Sequence, residues 1–119
     1  MESILTSIKK LLGISEDDTN FDLDVIIHIN AAFTRLRQLG VGPITGFRIS
    51  DDSLTWRDYI PEEDLRFESV KTYVYLKVKL VFDAQTLSAA MISTIKETIK
   101  ELEWELNVDA ETPIEEEEG

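Results

Sequence analysis

Between Val70 and Phe82 the chain reads VKTYVYLKVKLVF, and wound as a helix at 100° per residue it is apolar almost all the way round. Only a narrow stripe of Glu68, Lys71, Thr72, Tyr75 and Lys79 is polar, while Val70, Tyr73, Val74, Leu76, Val78, Leu80 and Val81 wrap the rest. Such a helix needs neighbours on several sides, supplied by the chain's own helices or by another copy of the chain. Lys77 projects from the middle of the apolar arc, so its ammonium must reach water at an edge or meet a carboxylate. The same residues also alternate: Val74, Leu76, Val78, Leu80 and Phe82 are interleaved with Tyr75, Lys77 and Lys79, the period of a half-buried strand. Context favours the helix, because Pro61-Glu62-Glu63-Asp64 has the form of a first turn, with proline at N1 and acids at the positive dipole end.

Three further helical blocks follow from the spacing. Ile4, Leu5, Ile8, Leu11 and Leu12 form an amphipathic helix stopped at Gly13, with Ile14 as the apolar residue after a glycine cap. Val25, Ile26, Ile29, Ala32, Phe33, Leu36 and Leu39 line a second helix, which ends at Leu39-Gly40-Val41 before Gly42-Pro43. Its start lies in the acidic run Ser15 to Asp22, with Asn20 or Asp18 predicted as N-cap. Near the C-terminal end, Ile92, Ile95, Ile99, Leu102 and Leu106 repeat at three and four, a narrow seam for one or two partner helices. Trp104 lies roughly 170° from that seam beside Glu97, Lys100, Glu101 and Glu105. A tryptophan on a charged helix face is a candidate protein contact, against the plainer reading of a lone exposed aromatic.

From Val41 to Ile60 there is no helical period. Phe47, Ile49, Leu54, Trp56 and Tyr59 flank Ser50-Asp51-Asp52-Ser53, which reads as a hairpin-like excursion. A connection this long either packs its own aromatics or presents them to something else. The predicted fold is therefore all-α: about four helices with a long loop between the second and third.

Composition narrows the function. The chain has 119 residues, 43% hydrophobic, enough for one compact domain. It has no cysteine, so disulfides, thiolate metal sites and thiol nucleophiles are out of reach. No signal-peptide pattern and no run near membrane-span length is seen, so a protein made and kept in the cytosol is expected. The formal charge is −12, and six of the 24 acids lie beyond Val108 (Asp109, Glu111 and Glu115 to Glu118). Residues 1–108 are read as the folded domain and 109–119 as a flexible acidic tail. The body still carries −6 without it, which argues against gripping a phosphate backbone.

Catalytic kits are missing. His28 is the one histidine, with Asp24 a turn before it and Arg35 two turns after, a spacing that permits an Asp-His pair but makes no nucleophilic triad or zinc site. Gly40-Val41-Gly42 lacks the third glycine of a nucleotide loop, and helix capping explains it. The acids from Asp17 to Asp24 lack the glycine and bidentate acid of a calcium loop. No enzyme, cofactor or metal is expected. From charge alone, an acidic DNA mimic that occupies a basic nucleic-acid-binding partner is the alternative.

Several blocks, taken in order, carry a resemblance. Leu11-Leu12-Gly13-Ile14 followed by Asp17-Asp18, then Ile26-Ile27-His28-Ile29-Asn30, Gln38-Leu39-Gly40-Val41-Gly42-Pro43, Ile49-Ser50-Asp51, Thr55-Trp56, Val70-Lys71-Thr72-Tyr73-Val74-Tyr75-Leu76-Lys77 and Ile99-Lys100-Glu101-Leu102-Glu103-Trp104 span residues 1–108. This series resembles the small head-tail connector proteins of long-tailed phages and prophages. The resemblance implies an all-helical head-completion adaptor, made in the bacterial cytoplasm and residing in the virion at the head-tail junction. It implies a ring of about twelve copies beneath the portal after DNA packaging, closed by head-to-tail contacts. The ring would join the portal to a stopper or tail-completion protein, with DNA passing through the bore without specific binding and no membrane involved. Candidates for contact with another copy or with the portal are Trp104, Glu101, Lys77 and Tyr73. Candidates for the bore or a neighbouring ring are Phe47, Arg48, Asp51, Asp52 and Trp56, all in the excursion from Val41 to Ile60.

Overall fold

The computed structural model describes residues 2–111. Ser3 caps the first helix, α1 (Ile4–Leu12), its hydroxyl accepting from the Thr6 amide at 3.0 Å. Gly13 ends α1 in the left-handed region at φ 83°, and the amides of Gly13 and Ile14 donate to the Lys10 and Lys9 carbonyls, the paired closure expected of a glycine cap. Ile4, Leu5 and Ile8 are buried as predicted, but Leu11 is 55% exposed. The buried face is rotated toward Thr6 and Lys9, both of which are buried, and this turns Leu11 outward.

Lys9 causes the rotation. Its ammonium, 3% exposed, donates to the backbone carbonyls of Asp18 (2.7 Å) and Glu16 (3.3 Å) and lies 2.7 Å from Asp22 Oδ1. That last contact is an ion pair without hydrogen-bond alignment. The acidic run thus wraps a buried cation instead of supplying a cap. Asp18 Oδ1 takes the Asn20 amide in a local turn at 3.0 Å, and the second helix, α2 (Asp22–Gln38), starts with Phe21 at its N-cap and no side-chain cap. Asn20 and Asp18 are therefore not the cap. Asp22 and Asp24 in the first turn still complement the dipole. At the far end Gly40 repeats the cap of α1, with the Val41 amide on the Leu36 carbonyl at 2.9 Å and Val41 buried.

No strand occurs among the described residues, so the excursion after Val41 is not a hairpin. Asn30 on α2 takes the place of a partner strand: its amide donates to the Ile49 carbonyl (2.9 Å) and its oxygen accepts from the Ile49 amide (2.8 Å). The Leu54 carbonyl accepts from the Ile4 amide at 2.8 Å, and a single bridge joins Ser3 to Thr55. A one-turn helix, α3 (Trp56–Tyr59), follows, opened by a reciprocal capping box between Thr55 and Asp58. One turn carries no period, which is why spacing did not reveal it. Of the two readings of this segment, the aromatics pack inward. Phe33 of α2 meets Tyr59, Phe47 and Trp56 at ring-centroid distances of 4.6, 5.0 and 6.1 Å, and Trp56 Nε1 donates to Ser7 Oγ at 2.9 Å. Gly42, at φ 88°, permits this closure, because a Cβ there would lie 2.5 Å from the Tyr59 ring.

The apolar segment is a helix, α4 (Phe67–Phe82), but it begins six residues after Pro61. Asp64 stops the earlier start: one carboxylate oxygen accepts from both the Arg66 amide (2.8 Å) and Nε (3.0 Å), the other from Nη2 (2.9 Å), which fixes a turn. The last helix, α5 (Ala89–Glu111), buries Ile95, Ile99 and Leu106 and half-buries Ile92 and Leu102, as the seam predicts. It continues past Val108, the predicted edge of the folded domain, and the rest of the acidic tail lies outside the described residues. The described residues form five helices, four of them substantial, and in this bundle α4 is the hub, packed against α1, α2 and α5. Its nearly continuous apolar surface reflects that central place.

Candidate assembly surfaces

The hub is covered on most sides within one protomer. Val70, Tyr73, Val74 and Val78 are fully sealed, so the protomer supplies more of the cover for α4 than the apolar arc alone suggests. One flank remains. Leu76, Lys77 and Leu80 are half-buried and Val81 is 53% exposed. Positions 76 and 80, 77 and 81, and 77 and 80 are helical neighbours, so these four residues form one strip with a cation in its midst.

Lys77 has no ion pair among the described residues. Its ammonium stands 5.9 Å from the centroid of the Tyr73 ring. Tyr73 is buried, and its hydroxyl donates to Glu103 Oε2 at 2.6 Å, while Arg35 Nη2 donates to Glu103 Oε1 at 3.2 Å. Glu103 thus ties α2, α4 and α5 at one point. Burial pushes its carboxyl upward, but the hydrogen bonds from Tyr73 and Arg35 and the charges of Arg35 and Lys77 outweigh this and hold it below the ordinary 4.5. Burial, then the Glu103 carboxylate, drive the Tyr73 hydroxyl far above the ordinary tyrosine range. Residue spacing does not reveal this triad, because its members come from three helices; the sequence cue is Glu103 beside the α5 seam.

On the opposite side of α5 from its seam, Trp104 is 68% exposed, with Glu97, Glu101 and Glu105 exposed around it and Lys100 as an accompanying cation. The excursion candidates divide. Trp56 is buried and Phe47 half-buried in the aromatic cluster, whereas Arg48, Asp51 and Asp52 are exposed. Asp51 accepts from the amide and hydroxyl of Ser53, which hold its carboxyl below the ordinary range. Asp51 and Asp52 line an open groove together with Leu5, Leu23 and Ile26.

The helical bundle thus leaves flanks of α4 and α5 uncovered among the described residues. A family model described as phage connector protein matches residues 4–113. The chain belongs to the phage connector protein family. Comparison with curated proteins gives no significant match, and comparison with solved structures gives none either. Membership in a connector family implies a structural, non-enzymatic part among virion proteins. The side chains of His28 and Asp24, whose spacing permits a pair, make no hydrogen bond or ion pair with each other among the described residues. Arg35 is committed to Glu103 instead. No described group of His, Asp and Glu is arranged to hold a metal, and no described helix is long and apolar enough to cross a membrane.

Proposed function

We propose that this connector assembles as a ring beneath the portal once DNA is packaged, and joins the portal to the stopper or tail-completion protein below. The observation that carries the reading is the strip Leu76, Lys77, Leu80 and Val81, an apolar flank of the hub helix that the protomer leaves open in a chain of the connector family. Covering a residue such as Val81 on assembly contributes about 1–2 kcal/mol, repeated at every subunit of a closed ring. Charge supports the conduit role: a body at −6 without its tail repels phosphates and lets DNA slide, where a basic lining would hold it.

The test joins DNA-filled heads prepared without this chain to separate tails, with purified chain added back. Wild type is expected to give joined particles. Val81→Asp places a charge in the strip at an already exposed position, so it should keep wild-type circular dichroism and lose most of the joining. Joining by Val81→Asp at the wild-type level removes the strip from the contact, and no joining by wild type removes the function.

A further inference from the structure

Two exposed surfaces, one on α5 and one at the turn after α2, carry complementary groups. The first is the outer face of α5, where Trp104 stands among Glu97, Glu101 and Glu105. The second surrounds the turn after α2. Ile44 at its tip is 89% exposed, and the turn closes with the Gly46 amide on the Pro43 carbonyl at 2.9 Å. Arg37 lies against that turn, its Cδ 3.6 Å from where a Gly46 Cβ would stand, and Arg48 follows two residues on, its segment pinned to α2 through Asn30 and Ile49.

Seven of the twelve lysines and arginines form ion pairs among the described residues; of the other five, Arg37 and Arg48 are exposed at the second surface with no side-chain hydrogen bond among the described residues, and Lys100 is exposed beside Trp104. The relative placement follows from α2 itself. Residues two apart on a helix point roughly 160° from each other. Arg35 reaches α5 through Glu103, so Arg37 faces away from α5. The outer face of α5 in turn looks away from its seam on α4. One acidic surface with an aromatic anchor, on α5, is thus distinct from one basic surface with an apolar knob, at the turn after α2.

We propose that Trp104 and its glutamates on one protomer dock on Ile44, Arg37 and Arg48 of the next copy. This pairing rests on the ring reading above and adds to it a contact between copies that is separate from the α4 strip. Contact between two different surfaces is head-to-tail, the kind that closes into a ring. Trp104 supplies buried area and a face for a guanidinium, and the opposed charges set register and suppress self-pairing of either surface.

The chain has no cysteine, so single introduced thiols report contacts cleanly. Glu101→Cys chains and size-tagged Ile44→Cys chains are mixed on purified portal, oxidised, and run without reductant. The mixed disulfide is expected to exceed that of a Glu101→Cys and Leu65→Cys control pair by about tenfold. Arg48→Glu introduced into the Ile44→Cys chain should lower the mixed product, and Glu101→Arg should restore the assembly of Arg48→Glu chains. Rings on portal with cross-linking no better than the control overturn the pairing and leave the ring reading standing. Absence of any ring on portal overturns both.

Discussion

Phe33→Ala is expected to destabilise the protomer by about 3–5 kcal/mol, a loss of roughly 10–20 °C in melting temperature. Phe33 is buried on α2 and is the shared neighbour of Phe47, Trp56 and Tyr59, so it is the one ring through which the excursion from Val41 to Ile60 is fastened to the bundle. Truncation removes its transfer free energy and leaves a cavity that the neighbouring rings close poorly, because two of the three are held elsewhere. Trp56 is tied to Ser7 and Tyr59 to the Val41 carbonyl. Thermal unfolding followed by circular dichroism checks the magnitude. A loss under about 1 kcal/mol would mean that the excursion is held by its backbone ties to Asn30 and Ile4 rather than by aromatic packing.

Glu103→Gln is expected to cost about 2 kcal/mol at neutral pH, since hydrogen bonds to a charged group are worth roughly 1.5–3 kcal/mol and the variant offers one neutral acceptor oxygen where the carboxylate serves Tyr73 and Arg35 with two. The pH dependence gives a sharper signature. The Glu103 carboxyl is held below its ordinary 4.5 in the folded chain, so the unfolded chain takes up the proton first as pH falls. Its contribution is complete above about pH 5, and it is lost as pH drops through the lowered folded value. Wild type should therefore fall toward the variant between about pH 5 and pH 3, and the gap in melting temperature should narrow there. Asp51 and Asp64, also held below their ordinary range, lose stability in both proteins alike and cancel in the difference. A gap that stays constant across that range would show that Glu103 acts through shape and not charge.

The helical seams were legible in the sequence because burial here is periodic. The α5 seam, the α2 face and both glycine caps appear where spacing placed them, and α4 is the helix that its context favoured. Helix starts were less legible. Asp18 and Asn20, and again Pro61 to Asp64, have the composition of first turns, but each is drawn into a tertiary or local contact instead: one run wraps the Lys9 ammonium, the other clamps Arg66. Propensity cannot see a buried cation that recruits carbonyls. For the same reason the candidate residues separate by burial and not by type. Tyr73 and Trp56 are core residues, whereas Trp104, Glu101, Arg48, Asp51 and Asp52 face solvent. A sequence shows that an aromatic is present, and only the packing shows which side of the wall it stands on.

The measurement that bears most directly on the connector role is imaging of purified DNA-filled heads with and without this chain. With the chain, an added ring of density is expected below the portal vertex, concentric with the DNA exit, and it should be missing from heads incubated with Val81→Asp. Identical vertices in the presence and absence of wild-type chain would contradict it.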